Sequence, residues 1–162
     1  MHWPHVSARC ACREIRSAHR AAPMDTEPYP IIAPARVRSV QSEPLGILLI
    51  SGGHERAHYA FLLAAGAAAI DRPVVMFATN AGCYALTADA TQDPREAEVE
   101  RRGVAGLSTL REACMELGVR LLACDAGLRT VGLDRSHLLP GVEIAGVPAF
   151  LAAISGGQIV TL

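Results

Sequence analysis

Cys124 closes the apolar run Val119-Arg120-Leu121-Leu122-Ala123-Cys124, and Asp125-Ala126-Gly127-Leu128-Arg129-Thr130-Val131-Gly132-Leu133 follows it. The run reads as a buried strand and the segment after it as a helix start. A thiol at that junction lies at the mouth of an α/β sheet, where the amides of a following helix favour a thiolate. Thiolate is the nucleophilic form of cysteine, so the position points to sulfur or redox chemistry. The competing explanation is a small apolar residue buried at a strand end, the usual fate of a free cysteine.

The remaining thiols separate by position. Leu107, Leu110, Cys114 and Leu117 follow helical spacing, which puts Cys114 on a core-facing stripe. Cys83 follows Gly82 in a small-residue loop, either as a resolving thiol for Cys124 or as packing beneath a lid. Cys10 and Cys12 are too tightly spaced for a zinc pair and have no matching second pair. His54 and His58 lie one helical turn apart, a metal-competent spacing, but no third ligand accompanies them. Both are expected at the solvent-exposed surface, and no metal site is assigned. Ser51-Gly52-Gly53 leads into a helix whose first amides could hold an anion, although neither GxGxxG nor GxxxxGK[ST] is present. Arg129, five residues after Cys124, either attracts an anionic sulfur donor or is an ordinary exposed helical arginine.

Alternating strands and helices must position these residues. Strands are expected at Leu45–Ser51, Pro73–Thr79, Val119–Cys124, Val142–Ala145 and Gln158–Leu162. Helices are expected at His54–Ile70, Leu107–Leu117 and Gly146–Ile154, with a short one after Cys124. Asn80–Asp93 reads as a loop or short helix, and the charged Pro94–Arg102 as a solvated helix or lid. Such alternation implies an α/β fold with a five-stranded parallel, doubly wound sheet. Parallel strands all end on one edge, where ligands bind. That edge should gather Ser51, Gly52, Gly53 and His54 with Asn80, Cys83, Cys124, Asp125 and Gly146. The helix from Tyr59 to Ile70 is apolar nearly all round and should be buried on more than one side, which makes a subunit interface plausible.

Composition narrows the function classes. The chain of 162 residues is 51% hydrophobic, enough for one domain with a real core. A formal net charge of -1 leaves no broad basic field for nucleic acid. All 15 basic residues are arginine, which excludes a Schiff-base lysine and a Walker-type lysine. Five cysteines, an odd number, argue against a disulfide framework and for a reducing, cytoplasmic setting. The longest apolar stretch falls short of the ~20 residues that a membrane span needs. Residues 1–43 are proline-rich and aperiodic, an expected flexible N-terminal extension before a domain over 44–162, and Met24 is an alternative start.

From about Leu45 to Leu162 the chain resembles the DsrE/DsrF-like family, which includes sulfur relay proteins of the TusD type. The resemblance rests on Gly46-Ile47-Leu48-Leu49-Ile50-Ser51-Gly52-Gly53, on Val74-Val75-Met76-Phe77-Ala78-Thr79, and most of all on Glu116-Leu117-Gly118 leading into Val119–Cys124. Leu138-Leu139-Pro140-Gly141-Val142-Glu143 and Gly146-Val147-Pro148-Ala149-Phe150-Leu151 also fit. It implies a flavodoxin-like three-layer sandwich, trimers or hexamers, and no obligate cofactor. It further implies a persulfide on the cysteine after the third strand, the position of Cys124, with donor and acceptor proteins as partners. The chain departs from the pattern at Asn80-Ala81-Gly82-Cys83, where close relatives often carry aromatic residues.

Three readings follow. The first is a sulfur carrier or sulfurtransferase-like protein using Cys124. The second is a non-catalytic module binding a small molecule or protein at the same edge. The third is a thiol redox protein pairing Cys83 with Cys124.

Overall fold

The computed structural model describes residues 43–162. Five parallel strands form its sheet: β1 (Leu45–Leu49), β2 (Val74–Ala78), β3 (Arg120–Cys124), β4 (Glu143–Ala145) and β5 (Gln158–Thr161). Their order is β4-β3-β2-β1-β5. The helices are α1 (His54–Ala68), α2 (Arg95–Arg101), α3 (Leu107–Glu116), α4 (Asp125–Thr130) and α5 (Val147–Ala153). Two 3-10 segments, Asn80–Leu86 and Ala88–Gln92, follow β2 where a loop or short helix was expected. Observed strands and helices stop one or two residues inside several of the expected limits, as fraying ends do.

Strand alternation sorts the core into two layers. Leu45, Ile47 and Leu49 of β1 pack with Ala57, Ala60, Phe61 and Ala64 of α1 and with Leu107, Leu110 and Cys114 of α3. On the opposite face, Val75, Phe77, Leu122 and Cys124 pack with Phe150 and Ile154 at α5. All five residues of β2 are buried, as a central parallel strand covered on both faces requires. Phe77 and Phe150 stack with ring centroids 4.9 Å apart, and burying each ring contributes about 2 kcal/mol. Gly46 admits this contact, because a Cβ there would meet Phe150 and Ile154 at 3.0 Å.

One helix leaves a face uncovered within the protomer, and another departs from expectation. Only one face of α1 is covered within the protomer, the alanine-rich one; Tyr59 is 57% exposed, and Leu62 and Ile70 are exposed too. Small alanines bring α1 close to the sheet, with Phe61 also inside, and leave Tyr59 and Leu62 outside. On α3 the apolar stripe stops at Cys114, and Leu117, just past the helix end, is exposed.

Candidate functional site

The loops after β1, β2 and β3 lock together at the strand-end edge. Gly82 N donates to Ile50 O at 2.9 Å, and a Cβ on Gly82 would collide with the carbonyl of Leu49. A Cβ on Gly52 would meet Ala81 O at 2.9 Å. Gly127 of α4 lies against the turn after β2, where a Cβ would meet Asn80 N at 2.5 Å and Thr79 Oγ1 at 2.6 Å. Asn80 has φ +49, a left-handed conformation that Asn tolerates better than most residues. Ser51 Oγ accepts from Gly53 N at 3.2 Å. The structure thus brings Ser51, Gly52, Asn80, Cys83, Cys124 and Asp125 to one edge, with Gly146 beyond them as the N-cap of α5.

Cys124 ends β3 and is the N-cap of α4, with no side-chain cap on that six-residue helix. It is 5% exposed, its thiol in the layer beneath α5 with Leu122, Phe150 and Ile154. Cys83 is fully buried in the other layer, with its thiol donating to Ala78 O at 3.4 Å. Burial pushes the Cys83 thiol up to about 11; a neighbouring Cys124 charge adds to the rise, and the Cys124 backbone N–H opposes it. Cys114 is equally buried, donates to Phe61 O at 3.5 Å, and is also pushed up to about 11 by burial. All three are free thiols. Arg129 is turned back to Asp125 on its own helix at 2.6 Å. Cys10 and Cys12 lie outside the described residues.

A second polar cluster occupies the α1 face. His54, expected at the surface, is only 7% exposed, and its Nε2 pairs with Glu96 Oε1 of α2. Glu96 Oε2 also accepts from Leu107 N at 2.6 Å, so one carboxylate ties α1, α2 and the start of α3. It is the buried residue of a helix read as wholly solvated. Arg111 NH2 donates to Thr87 O at 2.9 Å, while its buried NH1 has no partner. His58 is half-buried, stacks on His54 at 5.9 Å and pairs with Ala105 O at 2.8 Å. Beside His54 lies a cavity of about 320 Å³ whose walls include Gly52, Tyr84, Asp89, Gln92 and Asp93. Cys124 is not among its walls. The sequence held one signal for this cluster: Arg111 sits at core-facing spacing between Leu107 and Cys114. Nothing local marked Glu96 as the partner of a histidine 42 positions earlier. Among the described residues no three His, Cys, Asp or Glu side chains gather in a metal-binding group.

These features define a flavodoxin-like α/β sandwich with two cysteines, Cys83 and Cys124, at the strand-end edge. Residues 88–161 match the DsrE/DsrF/DrsH-like family. The chain is 28% identical over 153 residues to the uncharacterized protein YrkE of Bacillus subtilis, covering 74% of this chain and 96% of that one. Over 53 residues it is 34% identical to the sulfur carrier protein DsrE2 of Allochromatium vinosum, a match spanning 33% of each. In fold it is similar to the ychN protein from E. coli, with a TM-score of 0.60, 15% identity, and coverage of 74% of this chain and 99% of that one. The match to the DsrE/DsrF/DrsH-like family covers slightly less than half of the chain, at its C-terminal end.

Proposed function

We propose that this protein is a sulfur carrier that holds a persulfide on Cys124. The observation that carries the reading is the place of Cys124, at the end of β3 on the ligand edge and within the family-matched segment. Similarity to a protein named as a sulfur carrier supports the same chemistry. The Cys124 thiolate attacks the terminal sulfur of a donor persulfide; the donor's S–S bond breaks and its thiolate leaves. A cysteine thiolate of an acceptor protein then attacks the sulfur held on Cys124, which leaves as thiolate. No net oxidation occurs in either step.

Burial sets a condition on this cycle. The thiol lies under Phe150 and Ile154, so donor and acceptor reach it only when α5 loosens from the sheet. That helix has seven residues, no side-chain N-cap, and exposed Val147 and Leu151 on its outer side. Residues 44–162 act as the sulfur-carrying domain, and the exposed face of α1 supports assembly as a homo-oligomer in a reducing compartment. The test is intact-mass analysis after exposure to glutathione persulfide. Wild type should gain one sulfur atom and Cys124→Ser should not; an equal gain in both rejects the assignment.

The same burial favours a second reading, a binding module in which Cys124 is structural. Cys124→Ser would then leave every partner interaction intact, and the wild-type thiol would resist both sulfur loading and alkylation.

A further inference from the structure

We propose that Phe150 is the gate of Cys124, and that α5 swings on the glycines at its two ends to open it. This gate rests on the reading of Cys124 as the sulfur-bearing thiol, and supplies the regulation of that site.

The attachment of α5 to the sheet is unusual for what it lacks. Its sequence, Val147-Pro148-Ala149-Phe150-Leu151-Ala152-Ala153, has no polar side-chain atom. No side-chain hydrogen bond or ion pair can therefore tie it to the sheet, and apolar burial alone holds it down. Phe150 is the single buried residue of the helix, with Ile154 buried just past its end. Val147, Pro148, Ala149, Leu151 and Ala152 are all exposed. By contrast α1 buries a whole stripe, His54, Ala57, Ala60, Phe61, Ala64 and Ala67. The Phe150 ring stacks on Phe77 and closes the layer that holds Cys124.

The flanks of α5 are fixed and its joints are free. Before the helix, Ala145 is paired with Cys124 at the end of β4. After it, Gly157 packs so closely on Pro44 that a Cβ would collide with the Pro44 carbonyl, and Gln158 N donates to Pro44 O at 3.1 Å. Between these anchors lie Gly146, an N-cap without a side chain, and Gly156, at φ +78. Glycine changes φ and ψ at such joints at little steric cost. A helix pinned by one ring between two glycine joints opens as a unit. Opening lifts Phe150 from Phe77 and exposes the Cys124 thiol, while Cys83 and Cys114 stay buried in the layer beneath α1.

Alkylation of the full chain with iodoacetamide, followed by peptide mapping, reads the opening thiol by thiol. A buried thiol reacts in proportion to the fraction of time it is open. Phe150→Leu should speed modification of Cys124 several-fold and Phe150→Ala more than about tenfold, with Cys83 and Cys114 at wild-type rates. Leu151→Ala, at an exposed position on the same helix, should change none of them. An unchanged Cys124 rate in both Phe150 variants overturns the proposal. So does equal acceleration of all three thiols in Phe150→Leu, which marks global unfolding. Sulfur loading separates the gate from the chemistry it serves. Faster alkylation with no sulfur gained from glutathione persulfide supports the gate and rejects sulfur carriage. Sulfur gained alike by wild type and both Phe150 variants, with unchanged alkylation, rejects the gate and leaves carriage standing.

Discussion

The thiols of Cys83 and Cys124 lie on opposite faces of the sheet, although the backbone N–H of Cys124 points at the Cys83 sulfur. Contact runs from a side chain to a main chain, not from sulfur to sulfur. A disulfide needs Cβ atoms that face each other, about 4 Å apart. Mild oxidation followed by non-reducing peptide mapping should therefore yield no Cys83–Cys124 crosslink. Recovery of that crosslinked peptide in good yield would restore the redox reading.

Buried thiols give the protein an alkaline weakness. Cys83 and Cys114 are raised from an ordinary 9.0 to about 11 in the folded chain. Folding therefore retains protons that the unfolded chain releases. The stabilisation is fully present below pH 9.0 and is lost as pH rises through about 11. Each thiol contributes on the order of 2 kcal/mol across that window. Urea unfolding between pH about 8 and about 11 should show a steep fall in wild type and a shallower one in Cys114→Ala. The absence of lysine leaves few other groups to titrate there. Parallel slopes would rule out this origin.

Glu96 holds three helices through one carboxylate. Glu96→Ala strands a buried imidazole and the Leu107 amide, and should cost about 3 kcal/mol in chemical unfolding. Gly106 belongs to the same contact, because a Cβ there would meet Glu96 Oε2 at 2.8 Å. A loss below about 1 kcal/mol would mean that the pair behaves like a surface salt bridge.

The parallel sheet was legible because its signal is local. Val74-Val75-Met76-Phe77-Ala78 is an apolar run of strand length, and Gly118 stops the helix before β3. Cys114 was placed in the core by spacing alone. The His54–Glu96 pair was not legible. Its halves lie far apart in sequence, and Glu96 is embedded among charges that do face solvent. For α1 the apolar composition implies cover on more than one side, and the protomer itself supplies that cover on one face only.

That uncovered side should make assembly sensitive to charge. Tyr59 and Leu62 stand exposed on α1 beside Ile70. Light scattering should show wild type as a homo-oligomer and Tyr59→Glu combined with Leu62→Glu as a smaller species. A monomeric wild type would contradict the assembly.

Sulfur loading on Cys124 is tested most directly by finding where the sulfur lands. The protein would be treated with a persulfide donor whose terminal sulfur carries an isotopic label, then digested and mapped by mass spectrometry. Label on the peptide containing Cys124, released when an acceptor thiol is added, is the predicted result. Label confined to peptides containing Cys83, Cys114, Cys10 or Cys12, or no stable label at all, would contradict it.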